Sequence, residues 1–303
     1  MENQFNNKPL VSVVVNCFNC EKYLSKCIES ILSQTYKNWE LVFWDNQSSD
    51  SSKNIFKSFE DERLKYFYAE KHTTLYKARD LAIKKCSGKF IAFLDSDDWW
   101  EDKKLEKQMP KFKSNNIGLV YSNCYLYYQK NGKKKIYSKK KLYSGFVREK
   151  IIKNYKVGIV SAIIRKEAYD KSLIGFDSKY NIIGDFDFFV RLSADWNFEC
   201  IQEPLAYYRV HAKNFSRLNL DLEIEEFKKW HNEYLKKNFL NKSESKYLLS
   251  NIEYLRYKKL VFDGKRLKAL PGLFSIKNIS FKIQLLIRIL LPNYLIRLIQ
   301  NYR

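Results

Sequence analysis

Short apolar runs that stop abruptly at polar or acidic residues alternate with stretches of helical spacing through the first hundred positions. Val11–Val15 is β-branched or apolar at all but Ser12 and is ended by Asn16. Trp39–Trp44 is a second run, stopping at Asp45-Asn46-Gln47-Ser48-Ser49-Asp50, and Leu64–Tyr68 reads as a third strand. Phe90–Leu94, preceded by Gly88, is apolar at every position and ends in Asp95, Asp97 and Asp98. Such runs predict strands buried on both faces, as in a parallel sheet. Between them, Leu24, Cys27, Ile28, Ile31 and Leu32 mark one buried face of a helix over Glu21–Gln34. Ser51–Phe59 and Leu75–Cys86 predict two more helices. This alternation implies a doubly wound sheet, because parallel strands need a helix to return the chain. The acid-bearing ends of the strands would then share one edge, where ligands bind in such sheets.

Further along, the spacing predicts a helix over Trp99–Phe112 and a tyrosine-rich strand over Leu119–Tyr128, with Asn131-Gly132 as a hairpin turn. Lys133–Lys141 reads as a lysine-guarded edge. Val157–Arg165 is another apolar run. Ile182–Leu192 opens a helix with acids at its positive end, so Asp185 is either a cap or an active-site base. Glu203–His211 predicts a strand carrying Arg209 and His211. From about Leu218 the chain turns Lys-, Glu- and Leu-rich, with no glycine until Gly264. The expected organisation is a loose N-terminus over 1–8, an α/β domain over 9–217 and a helical region over 218–303. Within the last, Ser275–Tyr302 is dense in Leu and Ile but interrupted by Lys282, Arg288, Pro292 and Arg297. It suits a membrane-interfacial helix more than a span, or a terminal helix packed on its own domain.

Composition narrows the partners. The 303 residues carry 55 Lys and Arg against 34 Asp and Glu, a net +21. That suits polyanions, phosphorylated ligands or an anionic leaflet, and also a compositionally biased chain. Nucleic acid is not expected as a partner, since no recognisable binding module is present and the basic residues are spread along the chain. The six cysteines are irregularly spaced, and Cys17-Phe18-Asn19-Cys20 has no second pair, so a reduced, cytoplasmic setting without a structural zinc site is expected. No apolar signal segment opens the sequence. Three histidines exclude a His-rich metal site. The aromatic content would serve a homodimer interface or a membrane contact. Three carboxylates in four residues at Asp95–Asp98 repel one another unless a cation sits among them. A divalent ion shared with phosphate oxygens would resolve this; a solvated acidic turn is the alternative.

Four motifs in order then resemble the inverting glycosyltransferase family 2, with its GT-A nucleotide-sugar-binding fold: Val11–Asn19, Trp44–Asp50, Leu94–Asp98, and Gly184-Asp185-Phe186-Asp187 with Arg191-Leu192 behind. The match covers roughly 9–217, and the conjunction is more specific than any one motif. The resemblance implies a mainly parallel central sheet flanked by helices with an α-helical C-terminal extension. It implies transfer of a sugar from a nucleoside-diphosphate donor, UDP first among them, to a hydroxyl of a surface-polysaccharide or lipid-linked glycan at the inner face of a bacterial membrane. By the same resemblance Asp97 would be the main ligand of Mn²⁺ or Mg²⁺, with Asp95 towards the ribose and the metal shell; His211 matches a position near the metal in some relatives and is otherwise a structural histidine at a strand end. Asn16, Phe18, Asn19, Asp45, Asn46, Arg79, Asp95 and Ser96 would surround the nucleotide sugar, and Asp185 would be the general base. The chain departs from the family's pattern at Asn16, Asn46, Asp80 and Gly184, where proline, aspartate, asparagine and glutamate are usual. These departures motivate the alternative of a same-fold binder that has lost its chemistry.

Overall fold

The computed structural model describes residues 8–212 and 214–291. Among these, one compact unit runs to Ile151 and resumes over Tyr155–His211, and the other takes in Ile152–Asn154 and continues from Ala212. The predicted loose N-terminus and the end of the predicted terminal helix, residues 292–302, lie outside the described residues.

The first unit opens with β1 (Val11–Cys17), α1 (Glu21–Leu32), β2 (Trp39–Asp45), α2 (Ser52–Lys57), β3 (Leu64–Tyr68), α3 (Leu75–Ile83) and β4 (Phe90–Asp95). Every residue of β1 and β2 is buried, as strands covered on both faces require. The strands pair in parallel in the order β3-β2-β1-β4. The chain steps outward from β1 to β3, then returns through α3 to place β4 on the other side of β1. That reversal leaves a crevice at the carboxyl ends of β1 and β4, where Asn16 faces Asp95 in register. Gly88 lets β4 enter this arrangement, since a Cβ there would lie 2.7 Å from Leu10 O and from Ser12 N.

The other half of the sheet is mixed. It is built from β5 (Trp99–Trp100), α4 (Lys104–Gln108), β6 (Ile117–Tyr128), β7 (Lys133–Ile136), α5 (Arg148–Lys153), β8 (Ile163–Arg165), α6 (Lys166–Asp170), α7 (Gly184–Asp195) and β9 (Asn197–Val210). The sheet continues β4-β8-β6-β9-β5, with β7 on β6. Here β6 and β9 pair in parallel, while β4–β8, β6–β8, β6–β7 and β5–β9 are antiparallel. The architecture is thus α/β with a central sheet flanked by helices, its parallel half carrying the crevice.

One predicted element changes type. The helix expected over Trp99–Phe112 is confined to Lys104–Gln108, with a short 3₁₀ turn over Met109–Lys111. Trp99 and Trp100 instead pair with Tyr207 and Ala206 of β9. The Trp99 ring stacks on Tyr207 at 4.6 Å, Trp100 Nε1 donates to Val160 O at 2.8 Å, and Glu101 N donates to Leu205 O at 3.0 Å. Long-range pairing and aromatic burial outweigh the local helical spacing.

The second unit is helical: α8 (Phe215–Leu218), α9 (Leu220–Lys236), α10 (Lys242–Phe262), α11 (Arg266–Ala269), α12 (Gly272–Ser275) and α13 (Ile279–Leu290). A reciprocal capping box of Asn241 and Glu244 starts α10. Ile252, Tyr254, Leu255, Phe281 and Leu285 sit in its core. The predicted continuous helix from Ser275 is broken before Ile279, where Asn278 Oδ1 accepts from Phe281 N at 3.2 Å and caps α13. No helix among the described residues is long and apolar enough to cross a membrane.

Candidate active site

The loops after β1, β2 and β3 are stitched to one another. Asn19 and Gln47 hold left-handed backbones, φ 52° and 68°, which turn each loop sharply out of its strand. Asn19 Oδ1 accepts from Ser49 N at 2.8 Å, and Gln47 Nε2 donates to Glu70 O at 2.9 Å. Phe18 stands half exposed at the mouth, its ring 4.4 Å from that of His72. Ser96 is buried in the turn after β4.

Two residues expected to read the nucleoside are committed to the protein itself. Asp45 is fully buried; its Oδ1 accepts from Ser48 N at 2.7 Å and its Oδ2 from Tyr66 Oη at 2.6 Å. Asn46 Nδ2 donates to Thr73 O at 2.8 Å while its Oδ1 accepts from Thr73 N at 3.1 Å. Asp45 thus ties the turn after β2 to β3, and Asn46 holds the loop that follows β3. Asn16 differs: it is buried at the crevice, and its Nδ2 has no acceptor among the described residues. A buried amide donor without a partner costs stability unless a ligand accepts from it.

The acidic turn sorts its three carboxylates into separate roles. Asp95 forms an ion pair with Arg79, which is buried on α3. Asp97 keeps about a quarter of its side chain exposed, and its Oδ2 lies 2.9 Å from His211 Nε2. Asp98 is fully buried, and its Oδ1 accepts from Arg209 N at 2.7 Å. Burial, and then the neighbouring charges of Asp97 and Asp95, push the Asp98 carboxyl well above the usual carboxylate range. Arg209 ties the turn to β9: its Nε donates to Asp97 O at 2.6 Å, and its guanidinium lies 4.5 Å from the Trp99 ring. So Asp97 and His211 come together, while Asp95 is drawn aside to Arg79. Among the described residues no group of three His, Cys, Asp or Glu side chains is gathered to hold a metal ion. The cysteines are all free thiols.

Asp185 lies in the first turn of α7, where the helix N-terminus favours a carboxylate. Its Oδ1 accepts from Phe186 N at 2.9 Å and Tyr76 Oη at 3.2 Å, its Oδ2 from Tyr155 Oη at 3.1 Å. Burial raises its pKa, against the lowering pull of Arg79 and these donors. Tyr76 and Arg79 are one turn apart on α3, with the guanidinium 5.1 Å from the Tyr76 ring. Through them α3 links the Asp95 end of β4 to the Asp185 end of α7. Asp187, the other acid of that turn, is buried in an ion pair with Arg191 at 2.7 Å. The sequence alone assigns no role to Tyr76, Tyr155 or Arg209. The i, i+3 spacing of Tyr76 from Arg79 is the one signal the sequence carries for it, and Tyr155 has none.

The chain is similar to known proteins. Residues 12–173 match the family model described as glycosyl transferase family 2. The chain is 36% identical over 155 residues to the Escherichia coli UDP-Glc:alpha-D-GlcNAc-diphosphoundecaprenol beta-1,3-glucosyltransferase WfgD, covering 51% of this chain and 60% of that protein. It is 34% identical over 217 residues to an uncharacterized glycosyltransferase, MJ1057, of Methanocaldococcus jannaschii, covering 67% and 72%. Its fold resembles that of S. aureus TarS 1–349 with a TM-score of 0.65 at 18% identity, over 91% of this chain and 80% of that one. TarS 1–349 has also been solved in complex with UDP-GlcNAc.

Proposed function

The chain belongs to glycosyl transferase family 2, and we propose that it moves a sugar from a UDP-linked donor to a hydroxyl of a surface-polysaccharide or lipid-linked glycan acceptor, inverting the anomeric configuration. The observation that carries this reading is the bridge made by α3. Arg79 engages Asp95 at the end of β4, while Tyr76 engages Asp185 at the start of α7. A donor held by the first and an acceptor activated by the second would meet across one helix. The UDP assignment and the lipid-diphosphate acceptor draw on the name of WfgD, which the chain matches over 60% of that protein's length. A lipid-linked acceptor would put the reaction at the inner face of a bacterial membrane.

On the donor side, Asn16 Nδ2 offers a buried hydrogen bond, and Phe18, Asn19 and Ser96 line the same strand ends. Asp45 and Asn46 would shape the nucleoside pocket through the turn and the loop they hold rather than touch the base. Asp97 and His211 fit a divalent cation: one carboxylate and one imidazole leave positions open for diphosphate oxygens, and the mixed set suits Mn²⁺. When bound, such an ion supplies positive charge to a diphosphate leaving group. On the acceptor side, Asp185 takes the proton from the attacking hydroxyl. Its burial strengthens it as a base, and Tyr155 and Tyr76 fix its two oxygens. Attack from the face opposite the diphosphate gives inversion.

The test is thermal unfolding of the full chain with a panel of nucleoside diphosphates, with and without Mn²⁺, beside the Asp97→Ala variant, followed by turnover of the stabilising donor in chelator. UDP with Mn²⁺ should raise the Tm of the parent and not of the variant; at a hundredfold excess over Kd the gain is about 2.7 kcal/mol. Stabilisation by another nucleotide instead would remove the UDP assignment. Full turnover in chelator would remove the metal. Binding without turnover on any acceptor offered would favour the same-fold binder.

A further inference from the structure

The transfer reading leaves the outer face of the second unit unexplained. Helix α13 is apolar on two opposite sides. Phe281 and Leu285 are buried in the core of the unit. Ile279, Ile283, Leu286 and Leu290, at i, i+4, i+7 and i+11, form a stripe on the far side and are 73%, 53%, 41% and 69% exposed. Residues at that spacing fall within one narrow arc of a helix. Nearby in the chain, Leu267 on α11 and Phe274 on α12 are 81% and 86% exposed. An ordinary surface helix keeps its second face polar, and isolated exposed apolar residues need no explanation, but a four-residue stripe does.

Charge identifies what fits the stripe. From Gly264 to Arg303 the sequence has no Asp or Glu, while Lys265, Arg266, Lys268, Lys277, Lys282 and Arg288 fall before Leu291. The two arginines are turned to the protein: Arg266 Nη1 donates to Ile289 O at 2.7 Å, and Arg288 Nε donates to Tyr254 Oη at 2.9 Å. Lys265, Lys268 and Lys277 are exposed. We infer that α11–α13 form a membrane-docking surface, on which the Ile279–Leu290 stripe enters the headgroup boundary of an anionic leaflet and the lysines meet its phosphates. A second copy of the chain would bring the same lysines together and repel, whereas an anionic leaflet attracts them. A helix of 12 residues cannot span a bilayer but lies in its surface when one face is apolar and its flanks are basic.

The inference goes beyond sugar transfer, and its test needs no donor. The full chain is floated with vesicles of phosphatidylcholine alone or mixed with phosphatidylglycerol, at low and high salt. The parent should float with the anionic vesicles and largely lose binding at high salt. Lys265→Gln, Lys268→Gln and Lys277→Gln should each weaken binding about fivefold near the surface. Ile283→Ser with Leu286→Ser should abolish flotation while leaving the Tm and the nucleotide-dependent Tm shift in place. Failure of the folded parent to float overturns the inference, as does flotation of the double serine variant equal to the parent. A parent that is dimeric by light scattering, becomes monomeric in the double variant and never floats assigns the stripe to a second copy. Flotation that appears only when 292–303 are deleted shows that those residues cover the stripe. Both results also overturn the inference, and neither touches the nucleotide test.

Discussion

Gly184 and Tyr76 are matched to each other. A Cβ at 184 would lie 2.5 to 2.6 Å from the Tyr76 ring, so the absence of a side chain there lets the tyrosine pack on the first turn of α7 and reach Asp185. Where the family's pattern has an acid before the base, this chain has space filled by a phenol. The replacement changes how the proposed base is tuned. A neighbouring carboxylate would raise the pKa of Asp185 by repulsion, whereas the Tyr76 and Tyr155 hydroxyls lower it by donating to the charged form. Tyr155→Phe should therefore raise the Asp185 pKa further. With Asp185 as the proposed base, active when deprotonated, the acid limb of the pH profile of kcat/KM should move to higher pH, with little loss on the plateau. A limb that stays in place would show that another group controls it. Asp185→Asn should cost about 10²- to 10⁴-fold in kcat with the nucleotide-dependent Tm shift intact. Asp185 is singled out in the sequence as a cap or a base because an acid at a helix start is chemically conspicuous. Tyr155 lies 30 positions away in a chain with 22 tyrosines, and only folding selects it.

At the level of elements, runs of apolar residues located β1, β2 and β4, because these are buried along nearly their whole length and local pattern suffices, while the half-exposed β3 at the end of the order still shows as a short aromatic run. Trp99-Trp100 shows where that fails: two large apolar residues at a turn satisfy a helix or a strand, and the partner strand β9 is more than a hundred residues away. Glu40 is the opposite case, a charge concealed inside an apolar run. It is buried on β2, its Oε1 accepting from Ser12 Oγ at 2.5 Å and from Ser87 N at 2.7 Å, its Oε2 paired with Lys65 at 2.6 Å. It thereby ties β1, β2, β3 and the entry to β4. Burial alone would raise its pKa, but Lys65 and the serine donors prevail and hold it down at about 2. The folded value lies below the unfolded one, so the stabilisation is present above the unfolded pKa and is lost as pH falls through the folded one. Glu40→Gln should destabilise by on the order of 2–3 kcal/mol at pH 7, after discounting the solvent-screened Lys65 end. The gap between parent and variant should close as pH falls towards 2 in denaturant titrations. A gap that persists there would mean that packing, not charge, is what the substitution loses.

For the molecule as a whole, the shift from α/β to helical composition near residue 217 was visible because glycine and β-branched runs stop together. The structure divides the chain between His211 and Ala212, a few residues earlier, since β9 continues to Val210 and His211 still engages Asp97. What composition could not show was that each unit has its own core. Leu41, Phe43, Ala92 and Leu94 belong to one, and Ile252, Leu255, Phe281 and Leu285 to another. The adjacent leucines of α13 separate the two demands on the second unit, because Leu285 is fully buried while Leu286 is 41% exposed. Leu285→Ala removes buried methyl groups and leaves a cavity, so it should cost about 2–5 kcal/mol. Leu286→Ala removes surface that is already wet and should stay within about 0.5 kcal/mol. In hydrogen exchange, Leu285→Ala should speed the amides of α10 and α13 while those of β1, β2 and β4 keep the parent's protection, because the lost contacts belong to the helical core alone. Equal loss of protection in both units would show that they unfold as one cooperative body. Protection lost in α13 alone would show that this helix, and with it the apolar stripe on its outer side, opens independently of α10.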